Sequence, residues 1–231
     1  LTGSLSQACT VTLAPNTVSK CWVIKNSAGD TVTISQGTGS NVVIPNGSIK
    51  MIVTDGAGSG AAVTDVLAMT SGAGNVGFGN AALGTGITTG TDNVAVGDSA
   101  GDALTTGSDN TIIGDGAGGA LTTGSDNIAI GSAALDAATT ASNNTAVGSS
   151  ALGANTSGHS NVAVGKGALD ANTTGNGNNA FGLDSLGANT TADGNSAFGH
   201  ETLLVNTTGA NNTAIGKEAL KANTTGATNV A

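Results

Sequence analysis

Residues 212–228 read NTAIGKEALKANTTGAT, and this stretch is the clearest copy of a repeat that determines the fold. Its opening block, Asn-x-Ala-apolar-Gly, recurs along the C-terminal two-thirds of the chain. The first interval between successive opening Asn residues is 18 residues, and every later interval is 17. The opening residues are Asn75, Asn93, Asn110, Asn127, Asn144, Asn161, Asn178, Asn195, Asn212 and Asn229. Nine full copies and a stub therefore fill residues 75–231.

The length of the unit favours one coil of a parallel β-solenoid or β-roll. Common helical and leucine-rich repeats need about 20–47 residues, which is more than this unit has. Gly and Thr-Thr-Gly divide it into two short pieces that are both predicted to be extended. Side chains alternate along a strand, so the second and fourth positions of the first piece share a face. These pairs are Val94/Val96, Thr111/Ile113, Ile128/Ile130, Thr145/Val147, Val162/Val164, Asn179/Phe181, Ser196/Phe198 and Thr213/Ile215.

The second piece runs Ala-Leu-x-Ala-Asn-Thr-Thr-Gly in most copies. Its Ala-Leu part predicts a single helical or 3₁₀ turn, because Lys-Glu-Ala-Leu-Lys-Ala favours helix locally. Asn-Thr-Thr-Gly then predicts a turn. Two early copies have Leu104 and Leu121 where later copies have Asn.

The recurring opening Asn has two structural interpretations. Stacked coils would place identical side chains about 4.8 Å apart, where their amides could form a hydrogen-bonded ladder. Alternatively, each Asn caps a turn within its own coil. Both interpretations are structural.

The small volume enclosed by each predicted coil indicates that several copies of the chain associate. A coil of 17 small residues encloses little volume, and both faces of its strand look buried in the sequence pattern. One face is therefore expected to meet another subunit. Nine coils at about 4.8 Å would extend roughly 45 Å. A homotrimer around the rod axis is the natural arrangement, although the sequence does not count the subunits.

The unit NTAIGKEALKANTTG resembles the head repeats of trimeric autotransporter adhesins, and more closely the repeats of phage tail fibres and related bacterial surface proteins. The resemblance covers residues 75–231 and implies a left-handed parallel β-roll trimer. The period of 17 is longer than that of the adhesin heads, so we expect the extra residues to form the Ala-Leu turn. Because residues 1 and 231 interrupt sequence patterns, we also expect a segment of a longer protein.

Residues 1–55 do not follow the repeat and predict a small antiparallel β-domain, a sandwich or barrel arranged as a meander. Residues 56–74 are rich in Gly and Ala and predict a junction into the rod. Cys9 and Cys21 lie on successive predicted strands, so they are either a cross-strand disulfide or two buried free thiols. The predicted strands are 8–13, 21–24, 31–34, 41–44 and 49–53.

Composition excludes several classes of partner. Aromatic residues are 2% of the chain, charged residues 9%, and the net charge is −9. An acidic chain without Arg is a poor match for phosphate backbones, so neither nucleic acid nor an anionic membrane is an expected partner. No apolar run approaches the roughly 18 residues of a membrane-spanning helix, so no membrane insertion is expected.

The sequence predicts no enzyme, no cofactor and no metal site. His159 and His200 lie in different coils, and the pair Glu201 and Glu218, on what reads as an exposed turn next to basic or titratable neighbours, does not predict a glycosidase site. Gly-Ser-Asp-Asn at 107–110 and 124–127 resembles calcium-binding turns, but Asp is absent from later copies. Sequons at Asn155, Asn172, Asn189, Asn206 and Asn223 are explained by turn chemistry without glycans.

Three functions were weighed. The first is a structural fibre or spike segment, a rigid trimeric shaft in a virion tail fibre that serves host attachment, with other fibre proteins and a cell-surface receptor, expected to be a glycan, as partners. The second is the head of a cellular trimeric adhesin or surface filament. The third is an ice-binding solenoid using the pairs Thr173/Thr174, Thr190/Thr191, Thr207/Thr208 and Thr224/Thr225. The position after each Gly, held by Lys166, Leu183, His200 and Lys217, is expected to face outward and carry any receptor contacts.

Overall fold

The computed structural model describes residues 9–12, 19–27, 30–36, 38, 41–44, 49–55, 63–69, 74–84, 87 and 89–231, and all its regular elements are β-strands. The chain divides into two compact units, Leu1–Gly79 and Asn80–Ala231. The strands are β1 Cys9–Thr12, β2 Ser19–Lys25, β3 Val32–Ser35, β4 Val42–Ile44, β5 Ile49–Asp55, β6 Val63–Met69, β7 Val76–Phe78, β8 Val94–Val96, β9 Thr111–Ile113, β10 Ile128–Ile130, β11 Thr145–Val147, β12 Val162–Val164, β13 Asn179–Phe181, β14 Ser196–Phe198 and β15 Thr213–Ile215.

The N-terminal unit contains all five strands that its sequence predicts, but they do not form a meander. Strand β1 pairs in parallel with β3, and β3 pairs antiparallel with β4. Strands β2, β5 and β6 form a second, antiparallel sheet. The prediction of a meander is wrong because β1 and β2, which are neighbours in sequence, belong to different sheets.

The N-terminal fold extends beyond the predicted boundary at residue 55. Strand β6 lies within the predicted junction 56–74, yet it pairs with β5 along its length. An apolar strand needs a neighbour for its backbone hydrogen bonds, and the open edge of β5 provides one. The compact unit therefore ends at Gly79 and not at residue 55.

The two N-terminal sheets share one small core. Val32 and Ile34 of β3 and Val42 and Ile44 of β4 are buried, and Ile52 of β5 joins them from the other sheet. Alternation places each pair on one face of its strand, with the intervening residues turned away. The two sheets thus contribute to one apolar core.

The C-terminal unit is a parallel β-solenoid, which confirms the fold class predicted from the repeat. Each coil contributes one strand of three residues, and strand follows strand in sequence order through the sheet. Paired residues such as Ile128 and Thr145, or Thr145 and Val162, are 17 positions apart. One repeat interval therefore closes one coil.

The solenoid core is narrower than the sequence pattern indicated. Ala129, Ala146 and Ala163, the middle residues of their strands, are fully buried and point into the coil. The apolar pairs on either side of them point outward, so they do not fill the coil as expected. The interior of a typical coil holds the opening Asn, this Ala, a second Ala and one Leu, such as Leu152.

The Ala-Leu segment is a series of tight turns, and the predicted helical turn is wrong. In one coil, the N–H groups of Ala151, Gly153 and Asn155 donate to carbonyls three residues earlier, as in a 3₁₀ turn. However, Ser150 and Leu152 have φ of 57° and 53°, so the sign of φ alternates and a helix cannot propagate. A left-handed conformation costs a non-Gly residue about 1–2 kcal/mol. Burial of the Leu side chain, worth about 1.5–3 kcal/mol, offsets this cost.

The coils that begin at Asn93 and Asn110 fill the interior with a Leu at a different position. Gly101 and Gly118 stand where later coils have the left-handed Leu, while Leu104 and Leu121 replace the later Asn and are fully buried. A Cβ atom on Gly101 would lie 2.9 Å from the Cδ1 atom of Ile112. Ile112, which replaces the usual Ala in the middle of the strand, therefore fills part of the space that the left-handed Leu occupies in later coils. Leu104 and Leu121 therefore supply the large buried side chain that Leu152 and its equivalents supply in later coils, and Ile112 adds a second one in the coil that begins at Asn110.

Candidate functional site

The opening Asn residues form an inner ladder that fixes the spacing of the coils. The Asn161 Oδ1 atom accepts from the Asn178 backbone N–H at 2.9 Å and from its side-chain amide at 3.3 Å. The Asn161 amide donates to Asn144 Oδ1 at 3.2 Å and to the Gly175 carbonyl at 2.8 Å. The same backbone-to-Oδ1 bond links every successive pair from Asn93 to Asn229. The side-chain amides of the opening Asn residues therefore join successive coils, and each also donates to a carbonyl 14 residues further along the chain.

A second inner ladder runs beside the first in the later coils. Asn172 donates to Asn155 at 2.9 Å and also to the Gly175 carbonyl at 3.1 Å. The Gly175 carbonyl therefore accepts from both ladders. The sequence already carried this signal, since Asn recurs at 17-residue intervals here as well, but it was interpreted as a turn residue. The ladder consists of Asn155, Asn172, Asn189, Asn206 and Asn223.

The Asn residues of the second ladder are also the first residues of the predicted glycosylation sequons, and most of them are buried. Asn155, Asn172, Asn189 and Asn206 are fully buried, and their amides donate inside the coil. A glycan on such an amide would have to pass through the coil wall. The folded solenoid therefore does not offer these sequons to a modifying enzyme.

The outward side of the sheet carries two parallel rows of side chains. The first outward row consists of Val94, Thr111, Ile128, Thr145, Val162, Asn179, Ser196 and Thr213. The second outward row consists of Val96, Ile113, Ile130, Val147, Val164, Phe181, Phe198 and Ile215. All sixteen side chains are partly or substantially exposed, because the Ala between each pair occupies the inside of the coil.

This outward face is uncharged along the whole solenoid, and its second row is apolar in every coil. Neither row contains an ionisable residue, although the chain has a net charge of −9. Ile128 is 40% exposed, Phe198 is 40% exposed and Ile215 is 67% exposed. Eight strands at about 4.8 Å, each three residues long at about 3.3 Å per residue, give a face on the order of 400 Å². The largest apolar patch on a typical soluble monomer is about 300–600 Å² and is often functional, so the apolar second row makes this face a candidate interaction site.

Near the C-terminal end, the side chains of the second row become larger and those of the first row become smaller. Phe181 and Phe198 stack with ring centroids 4.9 Å apart and an interplanar angle of 9°. Beside these large rings, the first outward row carries the small polar residues Asn179 and Ser196. In these two coils a large ring therefore stands beside a small polar side chain.

The Thr pairs lie on bends and not on the flat strands. The Thr173 hydroxyl donates to the Thr190 carbonyl at 3.0 Å, and Thr190 donates to the Thr207 carbonyl at 3.2 Å. The second Thr of each pair, such as Thr174, is exposed. The first hydroxyl of each pair is thus used to join coils, and the two hydroxyls do not form a flat array.

The two Glu residues belong to a small group of charged side chains. Lys221 hydrogen-bonds Glu201 and lies 3.7 Å from Glu218, and His200 lies 3.8 Å from Glu201. The hydrogen bond from Lys221 is the main cause that lowers the pKa of Glu201. A general acid requires a raised pKa, so the environment of Glu201 is the opposite of the one that glycoside cleavage needs.

Acidic residues elsewhere on the solenoid do not converge on an ion. Asp109 and Asp126, from the two calcium-like turns, have positive φ and point outward at successive turns. Among the described residues, no group of three His, Cys, Asp or Glu side chains is arranged to hold a metal. An open cavity of about 460 Å³ lies beside Asp170 and Asp184, with Leu204 and Val205 on its other side. Burial, and secondarily the neighbouring Asp184 carboxylate, raise the pKa of Asp170.

The candidate disulfide between Cys9 and Cys21 is not formed. Cys21 is a free, exposed thiol on β2, whereas Cys9 begins β1 in the other sheet, and its side chain lies outside the described part of the structure. The prediction of a disulfide is wrong because it assumed that the strands of Cys9 and Cys21 pair with each other, whereas they lie in different sheets. The exposure of Cys21 also argues against the alternative of two buried thiols.

Other expected features can be placed as well. The residues after each Gly face outward as predicted, with Lys166, Leu183 and Lys217 exposed and His200 half-buried. In the described ranges, no helical segment has the length and hydropathy needed to cross a bilayer.

Comparison of the chain with models of known protein families, with curated proteins and with solved structures finds no match.

Proposed function

We propose that this chain is a shaft segment of an attachment fibre in which three copies stand side by side and hold a receptor-binding part away from a surface. The observation that supports the proposal is the uncharged outward face, with its continuous apolar second row, that runs the length of a stacked, internally hydrogen-bonded solenoid. A virion tail fibre is the setting that we favour.

The stacking of similar coils is consistent with a stiff shaft. Each coil contacts its two neighbours, so the stability of the solenoid is approximately a sum over coils and their interfaces. From Asn93 to Asn229 each joint repeats the same backbone-to-Oδ1 hydrogen bond, such as Asn178 to Asn161. This bond gives the buried Oδ1 atom a donor, and a buried polar group without a partner would cost about 1–3 kcal/mol.

Electrostatics favour other copies of the chain as the partners of the outward face. Acidic copies repel one another across most surfaces. The two outward rows carry no charge, so they are a face through which such copies can approach closely. Parallel copies repeat at the same coil spacing, and cyclic symmetry would let one face serve all subunits.

Receptor contacts are assigned to the varied outer positions. Lys166, Leu183, His200 and Lys217 occupy equivalent places in successive coils, yet they differ in size and charge. The inner ladder positions show no such variation. A cell-surface glycan, or another fibre protein, would thus meet the chain at these residues and not at the ladders.

Removal of whole coils tests the shaft. Deletion of residues 144–194 removes three complete intervals and joins Asn143 to Asn195 in phase. We expect this variant to stay folded and protease-resistant, and its maximum dimension by small-angle X-ray scattering to fall by about 14 Å. The control deletion of residues 144–186 joins Asn143 to Gly187 out of phase, and it should be degraded. An in-phase variant that unfolds, or that does not shorten, would contradict the proposal.

A further inference from the structure

We propose that Asn176, in the turn at 175–177, is a site of spontaneous deamidation that reacts when this turn opens and whose main product prevents the coil from closing again. The modification is a property of one coil and does not depend on the proposed function. It would make Asn176 the position at which a temporary opening of the solenoid becomes permanent.

Asn is among the chemically labile residues of proteins. In deamidation, the backbone nitrogen of Gly177 attacks the side-chain carbonyl carbon of Asn176. The bond from Gly177 N to Asn176 Cγ forms, the Cγ–Nδ2 bond breaks, and the leaving nitrogen takes the Gly177 amide hydrogen and departs as ammonia. Water then opens the resulting five-membered ring at either carbonyl carbon. Opening at Cγ gives aspartate, and opening at the former backbone carbonyl gives isoaspartate. Water is the only co-reactant, and nothing is oxidised or reduced.

The residue that follows Asn176 makes it the reactive Asn of the solenoid. A side chain on the following residue shields the attacking nitrogen, and Asn176 alone among the Asn residues of 75–231 is followed by Gly. A Cβ atom on Gly177 would meet nothing within 4 Å, so this side of the turn is open. Asn143 is also exposed, but the next residue is Asn144, whose N–H donates to Asn127 Oδ1 at 3.1 Å inside the coil.

Hydrogen bonds to neighbouring coils restrain both reacting groups in the folded chain. The Gly177 N–H donates to the His159 carbonyl at 3.1 Å. Asn176 Oδ1 accepts from the His159 backbone N–H at 2.9 Å, and the Asn176 amide donates to Asp193 Oδ1 at 3.3 Å. The nitrogen that attacks and the carbonyl group that it attacks are therefore both held by other coils. The reaction requires local opening of the turn, a motion whose free energy is smaller than that of global unfolding.

The product determines whether the turn can close. Isoaspartate adds one main-chain carbon atom between Asn161 and Asn178, and the ladder bond from the Asn178 N–H to Asn161 Oδ1, at 2.9 Å, spans this interval. The longer main chain no longer fits the 17-residue spacing of the neighbouring coils. Aspartate keeps the main-chain length and can still accept from the His159 N–H, but it sets a carboxylate against Asp193 where the amide donated. Isoaspartate should therefore block closure, whereas aspartate should only weaken the joint.

Timed incubation of the full chain tests the site and its dependence on opening. The protein is held in mildly alkaline buffer with and without an unfolding concentration of guanidinium chloride, and the products are located by tandem mass spectrometry. In denaturant, Asn176 should convert faster than any other Asn of the solenoid, and Asn46, which is also followed by Gly, gives the rate of the same dipeptide in an unfolded chain. Without denaturant, Asn176 should convert about tenfold or more slowly, which corresponds to an opening free energy of about 1.4 kcal/mol or more.

Two variants separate the modification from the role of the side chain. Asn176→Ser introduces the residue that earlier coils use at this position, where Ser142 Oγ accepts from the Ser125 N–H at 3.0 Å. This variant should fold and show no conversion at position 176. Asn176→Asp reproduces the product with a normal main chain, and it should refold with a slightly lower melting temperature.

Refolding of the modified mixture tests the effect of the product. After incubation in denaturant, the wild-type chain is refolded and treated with protease, and the resistant fraction is compared with the total. Isoaspartate at position 176 should be depleted several-fold from the resistant fraction, while aspartate at this position should remain.

Separate outcomes would overturn separate parts of the proposal. Faster conversion of Asn143 or of a ladder Asn in denaturant would show that Asn176 is not the reactive site. Equal rates for Asn176 with and without denaturant would show that the turn need not open. Isoaspartate that survives protease treatment in its original proportion, or an Asn176→Asp variant that fails to refold, would show that the added main-chain atom is not what blocks closure.

Discussion

The side-chain amide of Asn172 stacks on that of Asn155, 17 residues earlier, and donates to its Oδ1 atom at 2.9 Å. Both side chains are fully buried. The bond therefore joins two coils from the inside, at a place where the outer surface of the protein gives no sign of it. Together with the ladder of opening Asn residues, it makes the interior of this solenoid unusually rich in amides.

The first prediction compares two adjacent asparagines. Asn144→Gly removes a buried ladder amide and leaves the Asn161 backbone N–H without its Oδ1 acceptor, while Asn127 Oδ1 and the Gly158 carbonyl each keep one other donor. The loss of stability should be about 1–3 kcal/mol, the cost of one orphaned buried group. The matched control, Asn143→Gly, changes an exposed residue with φ of 60°, which Gly adopts freely. Urea denaturation monitored by circular dichroism should separate the two, and equal losses would contradict the structural role of the ladder.

The second prediction compares two glycines that both have positive φ. At Gly148, φ is 134°, and a Cβ atom would lie 2.6 Å from the Gly165 carbonyl carbon and oxygen. Gly148→Ala should therefore cost about 3 kcal/mol or more, because two coil backbones would have to separate. At Gly177, φ is 63° and a Cβ atom would meet open space. Gly177→Ala should cost about 1 kcal/mol, the price of the left-handed conformation alone.

Thermal denaturation of the two Gly variants is the appropriate measurement. Equal stability of Gly148→Ala and Gly177→Ala would contradict the close backbone approach between Gly148 and Gly165.

The third prediction concerns the left-handed leucines. Leu152 is fully buried, and its N–H donates to the Ala168 carbonyl at 3.0 Å. Leu152→Ala keeps the backbone but empties the coil, and the expected loss is about 2–5 kcal/mol. Leu183 is 42% exposed, so Leu183→Ala should change stability by about 0.5 kcal/mol or less. Comparable losses for the two variants in chemical denaturation would mean that the leucines of the repeat do not form the core.

The fourth prediction concerns pH. Burial raises the pKa of Asp170 from its ordinary value of 3.8, so the folded state binds this proton more tightly than the unfolded chain. The resulting stabilisation is present below about pH 3.8 and is lost as the pH rises through the raised pKa. At pH 7 the charged Asp170 is therefore unfavourable, and Asp170→Asn should raise the melting temperature slightly there but not at pH 3.

Asp126→Asn, at an exposed turn, controls for the loss of a negative charge as such. A fall in melting temperature for Asp170→Asn at pH 7 would show that Asp170 makes a favourable contact that outweighs its burial.

The period of the repeat was enough to predict the solenoid, but not which strand face lies inside. Alternation along Thr145–Val147 defines two faces without naming the inner one. The deciding factor is space: the coil is so narrow that Ala146 fits inside, while the larger Thr145 and Val147 must point out. The left-handed Leu152 was missed for a related reason. Its local sequence favours helix, and tertiary packing overrides that preference.

The N-terminal unit shows the usual limit of local patterns. Each of β1 to β5 follows from its own β-branched residues and turn signals, and all five are present. Their pairing is decided by contacts between distant residues, such as Val11 with Ile34, which no local pattern contains. For the outward face, the sequence predicted that one side of the strand would meet a partner, and the structure identifies the exposed side as the two outward rows.

The mass of the native chain in solution tests the central claim most directly. Sedimentation equilibrium at neutral pH, over a range of concentration and salt, should give three times the 21.7 kDa of one chain. High salt should not dissociate the assembly, because the contact is apolar and screening weakens only the repulsion between acidic copies. A stable, folded species of 21.7 kDa under these conditions would contradict the account, since the outward face would then have no second copy to cover it.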